Sequence, residues 1–400
     1  MTAQAAPATA SSQRAPAGDR HIDALRRIAR LLRLLTRTFP SAGTHMAVLD
    51  GLRGIALLLV VMSHTSLMHL NLVPGLDMSG AGKIGVWLFF VLSSFLLMHQ
   101  FIELDAKGKL DGRAWANYVV RRILRIYPLY LVYLLFCWLA PIQTYPDNLK
   151  PADVLLHLAT LAGRAHLWSI TVELRYYLLL PVLVVLYLYA MRRSFFAAAA
   201  ATALAVSARD WLAPAFDRDG LLTYVSIFMI GSFVAVAHHH LSHRAAWKAP
   251  ATRQVLAVAG LLLFFATVST TPSIWAWLTG REIAVAYWHQ SFTLFGLLWG
   301  AMLLALVNAA GWAQSLFGAL PLRVFGVVSF SAYLWHATLL IHLARIPGLQ
   351  TGSFPHAVAM LGGILLASIA SYLLIERPFL RMRLPPTRLQ ATSNQAGAAS

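Results

Sequence analysis

The sequence predicts an all-α fold, a polytopic membrane helix bundle of about ten transmembrane helices with both termini cytoplasmic. Three observations carry this. The 400 residues are 58% hydrophobic and only 12% charged, with a mean hydropathy of +0.65. Apolar stretches recur along the chain at a length that crosses a hydrocarbon core about 30 Å thick at about 1.5 Å per residue. Most of the 32 lysines and arginines fall on alternate connections, which marks those connections as cytoplasmic. Lys83, Lys150, Arg164, Arg209, Arg218, Arg281 and Arg345 are the exceptions on the opposite side, and Arg175 lies inside a span. The net charge of +17 is therefore spread between spans and forms no single basic patch, so membrane lipids and not nucleic acid are the expected partners.

Taken in order, residues 1–20 are rich in Ala, Ser and Pro and read as disordered. HIDALRRIARLLRLLTRTF follows with apolar residues at helical spacing and arginines between them, as in a helix lying on a membrane surface. No small-residue cleavage site follows it, so it is not read as a signal peptide. Residues 1–44 thus form a cytoplasmic tail. Spans are expected near 48–69, 83–99, 123–141, 168–190, 195–213, 221–238, 254–271, 286–308, 324–344 and 356–376. Residues 385–400 form a polar, disordered tail. The single Cys137 excludes an intrachain disulfide and a cysteine-based metal site.

The first span contains LDGLRGIALLLVVMSH, Leu49 to His64. Arg53 and His64 are eleven residues apart, about 16 Å along a helix and within about 20° around it. Asp50 lies close to the same stripe. A polar stripe on a membrane helix must face protein or a water-filled cavity, which makes it a candidate site. In HLWSITVELRYYLLLP, His166, Ser169, Glu173 and Tyr177 form a second stripe. SFSAYLWH brings Trp335 and His336 on the ninth span. Counted by helix rise, His64, Glu173 and His336 arrive at similar depth. The residues alone leave two readings open: a shared site, or histidines bonded to backbone carbonyls and tryptophans, Trp168 and Trp335, that simply pack.

YVVRRILRIYPLYL places Arg121, Arg122 and Arg125 where a span meets the cytoplasm. Arg121 and Arg125, spaced i, i+4, are able to converge on one anion, although topology and lipid headgroups also explain such residues. Glu376 and Arg377 in YLLIERPF end the last span at the same face. The run HHHLSH, His238 to His243, lacks a supporting carboxylate or cysteine, so no metal site is expected there.

LDGLRGIALLLVVMSH, KIGVWLFFVLSSFLL, RRILRIYPLYL, HLWSITVELRYYL, SFSAYLWH and IERPF occur in the order seen in the acyltransferase-3 family of bacterial integral-membrane O-acyltransferases. The resemblance covers roughly residues 46–380. It implies that residues 45–384 form a membrane acyltransferase domain of the bacterial inner membrane. That domain would move an acyl group, most often acetyl, from cytoplasmic acyl-CoA to a hydroxyl of a carbohydrate, a surface or exported polysaccharide or its lipid-linked precursor. Acetyl-CoA would be a co-substrate, with no permanently bound cofactor. Other polysaccharide-assembly proteins remain an open class of partner. By the same resemblance Arg53 and His64 match an essential arginine–histidine pair, Arg122 and Arg125 an arginine pair linked to coenzyme A binding, and Glu173 the glutamate after the Trp-Ser motif.

The resulting expectation has His64 as general base, Glu173 orienting it if the helices are neighbours, and Arg53 holding the donor. Arg121, Arg122 and Arg125 would take phosphates, and Asp50, Trp168, Ser169, Trp335 and His336 would line the substrate pocket. Two departures from the family pattern stand out. Ser93-Ser94-Phe95 replaces the usual Ser-Gly-Phe, and Arg175 adds a charge to the fourth-span motif. The exported hydrolase-like domain of some members is not expected here. A transporter or flippase is the rival class, since buried His, Glu and Arg also line solute paths.

Overall fold

The structure, a computed structural model, describes residues 47–68, 70–71, 76–212, 220–282, 285–346 and 354–382. The expected surface helix before residue 45 and the polar tail lie outside the described residues. Each expected span is helical. In chain order the helices are α1 (Ala47–Leu67), α2 (Gly82–Ala106), α3 (Gly112–Leu139), α4 (Pro151–Leu158), α5 (Trp168–Val185), α6 (Phe195–Leu212), α7 (Leu221–Ser242), α8 (Ala245–Lys248) and α9 (Pro250–Ser269). They continue as α10 (Pro272–Thr279), α11 (Val285–Gln290), α12 (Phe292–Asn308), α13 (Gly311–Phe317), α14 (Leu320–Val327), α15 (Ser329–Leu343), α16 (Phe354–Ser371) and α17 (Arg377–Arg381).

Among the described residues, 7 helices are long and apolar enough to cross a membrane, or up to 8 if a bent pair counts as one. Phe195–Ala208 and Phe292–Asn308 are shorter apolar helices at the fifth and eighth expected spans. The protein is thus an all-helical, multi-pass membrane protein.

Three expectations change. The third span begins at Gly112 and not near 123, because Asp111 caps it by accepting the Ala114 N–H at 2.8 Å. Arg121, Arg122 and Arg125 therefore sit well inside a helix. The eighth span is interrupted at Ser291 between α11 and α12. The ninth is two helices, α14 and α15, meeting at 77°.

That break has a packing cause in the first motif. α14 crosses the start of α1 with almost no room for side chains between them. A Cβ on Gly54 would lie 2.0 Å from the Leu322 carbonyl oxygen, and one on Gly326 would lie 1.8 Å from that of Asp50. Glycine here serves close helix approach, as small residues do generally in membrane bundles. Across the bundle α2 is the central helix, with Trp87, Phe90 and Phe95 essentially without exposure. It packs on α1, α5, α7 and α12, and the Trp299 indole N–H ties α12 to the Ile84 carbonyl at 3.2 Å.

Candidate active site

α1 brings His64 and α15 brings His336 to one point, with 2.6 Å between His64 Nδ1 and His336 Nε2. His336 is completely buried. Its Nδ1 lies 2.7 Å from the Tyr333 carbonyl oxygen, so Nδ1–H donates there and Nε2 is left as an acceptor. His64 must then donate through Nδ1–H, which leaves Nε2 of His64 with a free lone pair. A single backbone carbonyl thus sets two tautomers in series.

A third histidine joins them. His166, on the helical turn Ala165–Leu167 before α5, donates Nε2–H to the Leu334 carbonyl at 3.3 Å. Its ring centroid is 5.3 Å from that of His336. Tyr333 donates its hydroxyl to the His166 carbonyl at 2.7 Å and lies 2.6 Å from Ser169 Oγ. The polar stripe of α5 pointed to His166, but only the tertiary structure groups it with His64 and His336.

Tyr333 of this cluster also lines a cavity of about 40 Å³, together with Arg53, Phe89, Ser169, Glu173 and Ser329, among others. Arg53 and Glu173 therefore share one space. Glu173 does not reach His64: its Oε1 accepts from Ser93 Oγ and from the Tyr177 hydroxyl, both at 2.6 Å. The place beside His64 that the sequence offered to Glu173 is taken by His336. The Arg53 guanidinium lies 5.7 Å from the Phe89 ring centroid, and no ion pair engages it among the described residues.

The Ser93-Ser94 departure now has a physical account. Ser93 fixes Glu173, while Ser94 Oγ bonds back to the Phe90 carbonyl at 2.8 Å. The extra side chain fits because α7 presents Gly231, where a Cβ would come within 1.9 Å of Ser94 Oγ. The bulk added on α2 is offset by its absence on α7.

The arginines separate. Arg121 is exposed, whereas Arg122 and Arg125 are half-buried. Arg122 lies 5.6 Å from the Tyr177 ring centroid. Arg125 is ion-paired with Glu376, whose other oxygen accepts from Ser331 at 2.9 Å. Glu376 thus closes this end with Arg125.

Of the remaining expected pocket residues, Asp50 sits half-buried where α1 meets α14. Trp168 packs on Phe90 and Tyr224 and lies under the Lys83 ammonium. Trp335 turns to other partners: its N–H donates to Ser371 Oγ at 2.9 Å, and its ring meets Tyr133 and Phe136 edge-on. Arg175 anchors a loop, donating Nε–H to the Thr160 carbonyl at 2.9 Å. In the histidine run, His238 bonds Asn308 and His240 bonds the Arg193 carbonyl.

A family model described as an acyltransferase domain matches residues 46–373. A provisionally named O-acetyltransferase of Staphylococcus aureus is 21% identical over 84% of this chain and 57% of its own length. A provisionally named membrane-bound transacylase, BcsY, of Komagataeibacter xylinus is 24% identical over 82% of this chain and 81% of its own. The peptidoglycan O-acetyltransferase OatA of Listeria monocytogenes is 21% identical over 86% of this chain and 57% of its own. The chain thus spans little more than half the length of two of these relatives. No solved structure matches.

Proposed function

Since the chain belongs to the acyltransferase-3 family, we propose that it transfers an acyl group, acetyl before others, from acyl-CoA to a hydroxyl of a carbohydrate acceptor. The observation that carries this is the hydrogen bond from His64 to His336, which leaves His64 Nε2 unprotonated; Tyr333, whose carbonyl holds His336, lines a cavity together with Arg53 and Glu173. A sugar hydroxyl is a weak nucleophile until its proton is removed. In the proposed step the hydroxyl oxygen attacks the thioester carbonyl while His64 Nε2 takes the proton. The intermediate then collapses, the carbon–sulfur bond breaks, and the same proton passes to the departing thiolate. Transfer is direct, with no acyl-enzyme.

Arg53 and the Arg122–Arg125 pair hold the donor, and the largely apolar cavity wall limits hydrolysis of the thioester. The donor enters from the cytoplasmic face at the Arg53 end of α1. The acceptor, an exported or lipid-linked polysaccharide, approaches from the His64 end, which suits a protein of the bacterial inner membrane. The names of the O-acetyltransferase relatives support acetyl as the group transferred.

The test is purified protein in oriented proteoliposomes, with labelled acetyl-CoA on one side and cell-envelope glycans on the other. Acetylated glycan, formed only when donor is at the face of the termini, is expected. Transport of glycan without consumption of acetyl-CoA would instead make the polar stripes a solute path.

A further inference from the structure

The cavity beside the break between α14 and α15 contains hydrogen-bonding capacity that the protein itself leaves unused. Ser329 is only 1% exposed, lines the cavity, and its Oγ has no partner. Glu173 accepts both of its hydrogen bonds at Oε1, and Oε2 accepts none among the described residues. Arg53 completes the set. Ser329 also opens α15, a helix of 15 residues with no side-chain cap, so first-turn N–H groups lie at the cavity with the positive end of the helix dipole. A buried hydroxyl without a partner is destabilising, and a ligand that hydrogen-bonds to it removes that penalty.

The sign of these groups decides the ligand. An anion would be repelled by Glu173, and a cation by Arg53 and the start of α15. A neutral group that offers one donor and one acceptor is matched on both sides. Phe89 and Phe330 give apolar walls suited to methylene groups. We propose that this cavity binds a secondary amide on a slender aliphatic arm, its N–H to Glu173 Oε2 and its carbonyl oxygen to Ser329 Oγ and Arg53. Resting on the acyl-CoA reading above, the arm is the donor's pantetheine. Glu173 is then a donor-positioning residue, and Ser329 sets specificity for an amide-bearing thioester.

The experiment uses the full chain in nanodiscs and two acetyl thioesters without nucleotide: S-acetylpantetheine, which has amides, and S-propyl thioacetate, which has none. Ser329→Thr and Ser329→Val have the same shape and differ by the hydroxyl, with Ser329→Ala as a smaller control. The preference for S-acetylpantetheine, as a ratio of kcat/KM, is expected to fall about five- to tenfold in the Val and Ala variants, through KM, and to be retained by Thr, the size of one hydrogen bond. Equal losses on both thioesters, or no change in the ratio, would overturn the proposal. Binding of pantetheine alone separates this from the activity. Ser329-dependent binding without any transfer would sink the acyltransfer reading and leave the amide site standing. Transfer with Ser329-independent pantetheine binding would do the reverse.

Discussion

His64 and His336 are 272 residues apart in the chain, yet Nδ1 of one lies 2.6 Å from Nε2 of the other, with the rings 11° from parallel. Because His336 has committed its own Nδ1–H to a backbone carbonyl, it orients His64 without contributing charge. A carboxylate in that position would both orient and stabilise the imidazolium; a second imidazole does only the first.

Replacing His336 by Phe keeps a ring in place and removes the acceptor for His64 Nδ1–H. Transfer is expected to drop on the order of 100-fold, within the range for general-base catalysis. His64→Ala should abolish it, and the double variant should be no worse than His64→Ala, because the two act as a unit. Single-turnover transfer from labelled acetyl-CoA measures this; additive losses would separate the two histidines.

Arg122 and Arg125 should behave differently. Arg125→Ala leaves the carboxylate of Glu376, which is 1% exposed, without its cation. Breaking such a pair costs about 3–5 kcal/mol, so a lowered melting temperature in detergent is expected. Removing both charges with Arg125→Met and Glu376→Gln should recover most of it. Arg122→Ala should leave the melting temperature nearly unchanged and raise the apparent KM for acyl-CoA, read by donor titration.

Gly54→Ala and Gly326→Ala each push a methyl group to within about van der Waals overlap of backbone oxygens across the α1–α14 crossing. Overpacking generally costs about 1–3 kcal/mol, and backbone cannot yield as a side chain does. Both variants should accumulate poorly or melt well below the parent. Gly311→Ala, where a Cβ would meet open space, is the control expected to stay stable.

The loop after α4 should open in acid. His157 is buried, with Nδ1–H donated to the Asp153 carbonyl at 2.8 Å and Nε2 accepting the Arg164 N–H at 3.1 Å. Burial pushes its pKa below the ordinary value, against a smaller opposing pull from Asp153. The unfolded form therefore binds the proton more tightly. Stability from this clasp is complete above a pH of about 6.5 and is lost as pH falls toward the lower folded value. Protection factors for hydrogen exchange at residues 159–164, with the intrinsic pH dependence of exchange divided out, should fall over that interval. Arg175→Ala, which removes the bond to Thr160, should lower them at every pH. Protection factors in the parent that do not change with pH would show that His157 does not hold the loop.

The helices of this protein were legible from the chain because a membrane core rewards one property, sustained apolar length, and a sequence displays that directly. The pairing of Arg53 with His64 on one stripe was legible too, since both lie on α1 and helical periodicity links them. So was the presence of a partnered, half-buried charge on α5, because a carboxylate such as that of Glu173 has no cheap alternative in hydrocarbon. What sequence could not decide was which stripes face each other. Glu173 and His336 were equally plausible neighbours for His64 by depth. The choice came from the 77° break at the start of α15 and from Gly54 and Gly326, which let α14 lie directly on α1 and deliver His336 to His64. The same packing sent Glu173 to Ser93, Trp335 to Ser371 and Arg175 to the loop carbonyl of Thr160. Depth along a helix is a local quantity fixed by rise per residue. Adjacency between helices depends on where backbones can approach, and that is set by contacts distant in the chain.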